Sequence, residues 1–215
     1  MTSLDVLCIG FLVREDGELR EAHSTSTLIR SGGRCIVVDP STPYMWPAIR
    51  TSFKQIGVFP KDVDTVILTH AHADHTGNLD RYQNAEVLIH SGSDAEIPGA
   101  VVVDGGEHAV CPGVRMVHTP GHCLEECSVF VEGDLHYAIA GDTVPLEDNL
   151  AERKAPAVSI DAGAALDSID RIREWADVVI PGHGRPFPVR RAHTFKHSAD
   201  YRGCITGRGP LWAIS

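Results

Sequence analysis

Residues 64–76 read D-T-V-I-L-T-H-A-H-A-D-H-T, and this stretch decides the fold. Its first half, Asp64 to Leu68, is a short β-branched and apolar run, the pattern of a buried strand. Its second half holds His70, His72, Asp74 and His75 within six positions. The cluster therefore sits where a strand ends and a loop begins, a usual place for chemistry on a rigid scaffold. On an extended backbone side chains alternate, so His70 and His72 point the same way. Asp74 and His75 then turn toward a second point nearby. Imidazole nitrogen and carboxylate oxygen are ligands for zinc and related ions.

Upstream, Ser24 to Ile29 and Cys35 to Val38 read as two strands joined by the hairpin signal Ser31-Gly-Gly-Arg34. The second ends in Val37-Val-Asp-Pro40, which puts Asp39 at a strand terminus with Pro40 stopping the ladder. Leu4 to Val13 reads as one strand-like run, closed by a turn over Arg14 to Glu18. Thr42-Pro43 opens a helix, with Thr42 as N-cap and Pro43 at the first helical position. Trp46, Ile49, Phe53 and Ile56 recur at helical spacing as core residues, and Gly57 closes that helix.

Downstream, Gly77 to Leu79 predicts a short helical turn, Glu86 to His90 a strand and Ser91 to Glu96 a short helical piece. Val101 to Val103, His108 to Val110 and Val114 to His118 are further strands, and Thr119-Pro-Gly-His122 follows the last. Ser128 to Glu132 and His136 to Ala140 form a hairpin about Gly133-Asp134 that runs into Gly141-Asp142. Thr143 to Pro156 is polar and irregular, and is expected as a mobile loop near the site. Asp161 to Trp175 is a helix with Leu166, Ile169 and Ile172 on one face. Asp177 to Ile180 is a strand ending in Pro181-Gly-His183-Gly184.

His122, Asp142 and His183 each follow a strand and each lie beside Gly or Pro in a tight turn. Each one alone reads as a turn residue. Added to His70, His72, Asp74 and His75 they make seven ligands, enough for two metal ions with a position left for water. His90, His118 and His193 read as structural.

Bulk properties bound the rest. A chain of 215 residues, 43% hydrophobic and 22% charged, supports one sizeable core, expected as a single domain over 1–215 with a peripheral tail from about 190. No apolar run is long enough to span a bilayer. The first residues lack the basic and apolar regions of a secretion signal. The six cysteines are then expected as thiols, and the chain as cytoplasmic. The net charge of −10 disfavours non-specific binding to nucleic acid or anionic membrane. Arg190, Arg191, Lys196, Arg202 and Arg208 give a mildly basic end, read as solvated surface. The expected partner is a small-molecule substrate; nucleic acid and a homo-oligomer stay open.

The segments THAHADH, TPGH, AGD and PGHG, with VVDP upstream, resemble the metallo-β-lactamase superfamily in order and spacing from about Leu4 to Phe187. The resemblance implies an α/β fold, a four-layer αββα sandwich with the metal site at one edge between the sheets. It implies one metal site of His70, His72 and His122 and a second of Asp74, His75 and His183, with Asp142 bridging. Asp39 would sit behind the ligands, holding the histidine loop. Two divalent ions, zinc by default with iron or manganese also suited, would share an attacking hydroxide, which Asp74 would help orient.

Departures narrow the subgroup. The common zinc β-lactamases carry Cys where this chain has Asp142, so the chain resembles the hydrolase branch of glyoxalase II, lactonases and metal-dependent nucleases. The Tyr that glyoxalase II usually places two after its last histidine ligand is Arg185 here. The Tyr that acyl-homoserine lactonases place three after the bridging Asp is Pro145. The run ADVVIPGHGRPFPVRR is also similar to a subgroup to which RNA cleavage has been assigned. The expectation is a metal-dependent hydrolase of an ester, thioester or lactone. A nuclease is the alternative, and a non-catalytic or redox metal protein the third reading.

Overall fold

The computed structural model describes residues 2–92 and 96–189. In chain order the strands are β1 (Ser3–Cys8), β2 (Phe11–Glu15), β3 (Glu18–His23), β4 (Ser26–Ser31), β5 (Arg34–Val38), β6 (Thr65–Ile67), β7 (Glu86–His90), β8 (Val101–Val103), β9 (Glu107–Cys111), β10 (Val114–His118), β11 (Cys127–Glu132), β12 (His136–Ile139), β13 (Val178–Ile180) and β14 (Phe187–Pro188). The α-helices are α1 (Trp46–Ile56), α2 (Ala73–Thr76), α3 (Glu147–Ala151) and α4 (Ala162–Trp175).

Two six-stranded sheets stack face to face. The first has the order β1-β4-β5-β6-β7-β8, antiparallel up to β5 and parallel beyond it. The second has the order β14-β13-β12-β11-β10-β9, with β12 and β13 its parallel pair. Each parallel step needs a long crossover, and α1 between β5 and β6 and α4 between β12 and β13 supply two of them.

The period-two alternation of the strands sorts residues into layers. Ile36, Val38 and Ile67 face the inter-sheet core with Met116, Val129, Ile139 and Ile180. Their neighbours Val37, Val66 and Leu68 face outward, where Ile49 and Phe53 of α1 cover them. On the far side Ile169 and Ile172 of α4 cover Val117, Phe130, Ala138 and Val179. The result is the expected αββα order. Each fully buried aliphatic side chain contributes about 1.5–3 kcal/mol of burial free energy.

Several expectations need correction. Leu4 to Val13 is not one strand: β1 ends at Cys8 and β2 begins at Phe11. Gly10 makes the break, because a Cβ there would meet the His23 carbonyl at 2.3 Å. β2 pairs with β3, unforeseen in the sequence, as a separate two-stranded hairpin. Residues 143–156 are not irregular throughout: they carry α3, and Val144 and Leu150 are buried. Thr42 precedes a 3-10 turn but makes no capping bond; its hydroxyl lies 2.6 Å from His23 Nδ1 instead. Residues 93–95 of the anticipated helical piece, the basic tail, His193 and Cys204 lie outside the described residues. The other five cysteines are free thiols, and among the described residues no helix is long and apolar enough to cross a membrane.

Candidate metal centre

Five strand ends meet at one edge of the sandwich. Asp39 follows β5, the His70–His75 loop follows β6, His122 follows β10, Asp142 follows β12 and His183 follows β13. Backbone bonds tie these ends together: Cys127 N to Thr69 O at 2.9 Å, Gly182 N to Gly141 O at 3.1 Å and Thr25 N to Gly182 O at 2.7 Å. His72 is extended, at φ −61 and ψ 147, and the chain then turns at once into α2. That turn carries Asp74 and His75 to a second point beside the first. Gly182 leaves the space that Asp142 needs, since a Cβ there would lie 2.3 Å from Asp142 Oδ1.

All seven candidate ligands come together. Their ligand atoms form three overlapping groups, each within 4.8 Å: His70, His72 and His122; His70, His75 and Asp142; and Asp74, His75 and His183. Asp142 lies in the middle, with Oδ2 3.6 Å from His122 Nε2 and Oδ1 3.2 Å from His183 Nε2. His70 and His75 are fully buried, whereas His72 is exposed.

Four of the rings are anchored from behind. His75 Nδ1 lies 2.8 Å from Asp39 Oδ2. His122 Nδ1 lies 2.7 Å from the Val158 carbonyl and His183 Nδ1 2.9 Å from the His23 carbonyl. His70 Nδ1 faces the Thr69 hydroxyl at 3.1 Å and Glu126 Oε2 at 3.2 Å. Each of these rings is thus left with Nε2 for the centre. His72 is the exception and presents Nδ1, 3.0 Å from His122 Nε2. Asp39 also accepts from the Thr69 amide and hydroxyl, at 2.9 and 2.8 Å, so it fixes the root of the histidine loop.

The chemistry of the cluster fits cations. His70 Nε2, His75 Nε2 and Asp142 Oδ1 are buried atoms with no hydrogen-bond partner, all turned toward the same space. Buried polar groups are ordinarily satisfied, so three orphans facing one point mark a place for an ion. Burial, then neighbouring histidines, holds His70 well below the usual imidazole range; burial, then His122, also lowers His72. Both rings are therefore neutral at pH 7, the form that can bind a metal ion. Burial alone would favour neutral His75, but Asp39 and Asp142 outweigh it and hold its proton well above the usual range. Burial would likewise raise Asp142, yet the nearby His183 and His75 hold it well below the carboxylate range. The negative charge gathered here thus retains positive charge.

Three parts of the site were not foreseen. Glu126 is fully buried behind His70, with only its place before the apolar strand β11 as a signal. The β2–β3 hairpin brings Leu12, Leu19 and Ala22 over the ligands, and residues 156–158 close the opposite wall. Together they enclose a cavity of about 240 Å3 that opens onto His72, Asp74, His122, Asp142 and His183. His90 and His118 stand apart from the seven, stacked on each other with ring centroids 4.0 Å apart.

A fold of two stacked sheets with a His/Asp cluster at one edge defines a class, and comparison with known proteins agrees. Residues 19–90 match the family Metallo-beta-lactamase superfamily. The chain is 34% identical over 201 residues to metallo-beta-lactamase domain-containing protein 1 of Xenopus laevis, covering 87% of this chain and 82% of that one. A Thermotoga maritima crystal structure assigned to the metallo-beta-lactamases superposes with a TM-score of 0.72 at 22% identity, over 87% of this chain and 99% of that one. A quorum-quenching N-acyl homoserine lactone lactonase superposes with a TM-score of 0.64 at 20% identity, over 80% and 85% of the two chains. The chain belongs to the metallo-β-lactamase superfamily. It is a metal-dependent hydrolase of that superfamily.

Proposed function

We propose that the chain hydrolyses a small ester, thioester or lactone at a centre of two divalent ions. The observation that carries this reading is the wall of the cavity. Leu12, Leu19, Ala22, Pro145, Pro156, Ala157 and Val158 surround the ligands, and among the described residues Arg14 is the single Lys or Arg in that wall. An apolar pocket with a few convergent polar groups suits a small acyl substrate. A nucleic-acid strand asks instead for a cationic groove. The N-acyl homoserine lactone lactonase among the structural neighbours has the same fold.

His70, His72 and His122 would hold one ion and Asp74, His75 and His183 the other, with Asp142 shared. Zinc is the first choice, and iron or manganese suits the same ligands. Ions held there would supply an activated water near neutral pH and would polarise the oxygen of the group under attack. The protein supplies the rest. Asp74, whose side chain is 19% exposed against 12% for Asp142, is the carboxylate more open to the cavity and would orient the attacking water by accepting its hydrogen bond. Leu12, Val158 and the prolines exclude bulk water around the acyl group.

The test is a substrate panel on metal-reconstituted protein, with metal counted in parallel. The expected result is two ions per chain and chelator-sensitive cleavage of an acyl substrate, with kcat/KM changing little between low and physiological salt. Asp142→Ala should remove that activity while leaving the fold intact. Cleavage of RNA alone, with steep salt dependence, would overturn the acyl reading.

A further inference from the structure

We propose that Glu126 is a positioning residue of the metal centre, backing His70 as Asp39 backs His75 and fixing Asp142 from behind; this rests on the two-ion reading above. Three contacts carry the inference. Glu126 Oε2 lies 3.2 Å from His70 Nδ1, on the side of the ring away from the cluster. Oε1 accepts the backbone N–H of Asp142 at 3.0 Å. The thiol of Cys123, next to His122 in the chain, donates to Oε2 at 3.5 Å. One carboxyl therefore touches a ligand, the backbone of a second ligand and the neighbour of a third.

These three partners arrive on different strands. His70 follows β6 of the first sheet, while Cys123 and Asp142 follow β10 and β12 of the second. Glu126 itself opens onto β11, between them in the second sheet. It sits where the two halves of the centre must be held in register. Its seat is closely fitted: Gly141 adopts φ +52, and a Cβ there would meet Glu126 Oε1 at 2.5 Å and Thr69 Oγ1 at 2.6 Å. A carboxyl with no exposed surface is costly to bury and persists only where its oxygens are occupied.

The parallel with Asp39 is geometric. The two fully buried rings, His70 and His75, each have a carboxyl oxygen near Nδ1, at 3.2 and 2.8 Å, and at His70 the Thr69 hydroxyl shares that nitrogen at 3.1 Å. The less enclosed His122 and His183 have backbone carbonyls there. A group behind a ligand histidine fixes its tautomer and ring orientation, and its loss typically lowers metal affinity on the order of 10–100-fold.

Glu126→Gln is the test, because it keeps the volume of the side chain and replaces one acceptor oxygen with a donor. Zinc affinity and stoichiometry are read by competition with a chromophoric chelator, and the ligand field by cobalt substitution. The expected result is zinc affinity weaker on the order of 10–100-fold, with an altered cobalt spectrum and an unchanged melting temperature of the metal-free protein. Unchanged affinity and spectrum would overturn the inference while leaving the two-ion reading in place. If the wild type itself takes up no divalent ion, that reading fails and takes this one with it. Should the variant not fold, 15N spectra of the zinc-loaded wild type decide: a slowly exchanging proton on His70 Nδ1 with zinc on Nε2 supports the role, and zinc on Nδ1 overturns it.

Discussion

Asp39 Oδ2 lies 2.8 Å from His75 Nδ1, although 36 positions separate the two residues in the chain. Asp39 reaches it from an unusual backbone, at φ +50 immediately after β5. The same carboxylate takes the Thr69 amide and hydroxyl, so one side chain sets the start of the histidine loop and the orientation of its last ring.

Asp39→Ala therefore removes three acceptor contacts at once. Zinc affinity should fall on the order of 10–100-fold, and the metal-free protein should lose about 3–5 kcal/mol of stability. Chelator competition and denaturant melts check both. Wild-type values in both would show that the loop is held by other means.

Changing the cavity wall should separate substrate binding from metal binding. Leu12→Glu places a charge among apolar walls while touching none of the seven ligands. KM for a neutral acyl substrate should rise on the order of tenfold, with two ions still bound. An unaltered KM would mean that the substrate does not enter between the hairpin and residues 156–158.

Away from the site, burial pushes the Cys8 thiol up to about 12. An unfolded thiol titrates near about 8.5. The folded pKa is the higher one, so Cys8 contributes stability that is complete below about pH 8.5 and declines as pH rises toward the folded value. The slope is about 1.4 kcal/mol per pH unit for one such group. Urea melts under reducing conditions from pH 7 to 10 should show the decline, and Cys8→Ala should make it shallower. A parallel slope in the variant would assign the effect elsewhere.

Phe53→Ala tests the layer beneath α1. Phe53 is almost fully buried against the outer face of the first sheet. Its loss should cost about 3–5 kcal/mol, while metal stoichiometry in the folded fraction stays at two. Loss of metal at full stability would contradict the separation of core from centre described above.

The sequence exposed some of this and hid the rest for physical reasons. The β6 run and the histidine spacing were legible because alternation and ligand chemistry act over a few residues. Asp39, His122, Asp142 and His183 were legible as strand ends beside Gly or Pro. The β2–β3 hairpin was not: Gly10 splits what reads as one apolar run, and the cause is a contact with the His23 carbonyl far along the chain. Glu126 was hidden because a Glu-Glu pair before a strand usually faces solvent. Only the assembled sandwich encloses both, with Glu125 8% exposed and Glu126 not at all. Residues 143–156 look polar, yet Val144 and Leu150 anchor them in the α4 layer.

His72 differs from its four partner rings: it turns Nδ1 to the centre, the ring is exposed, and among the described residues no group backs its far nitrogen. That difference concerns traffic more than affinity. An ion held by anchored rings can leave only when some ligand lets go, and the ligand with the lowest barrier to rotation lets go first. Exchange of the ion at the His70, His72 and His122 group should then be gated by one side-chain rotation at the surface. The ion at the Asp74, His75 and His183 group, where both rings are anchored and none is free to turn, should exchange more slowly. A pulse of isotopically labelled zinc would then enter the two positions at separate rates, and the order of entry would follow from which histidine lacks a backing group.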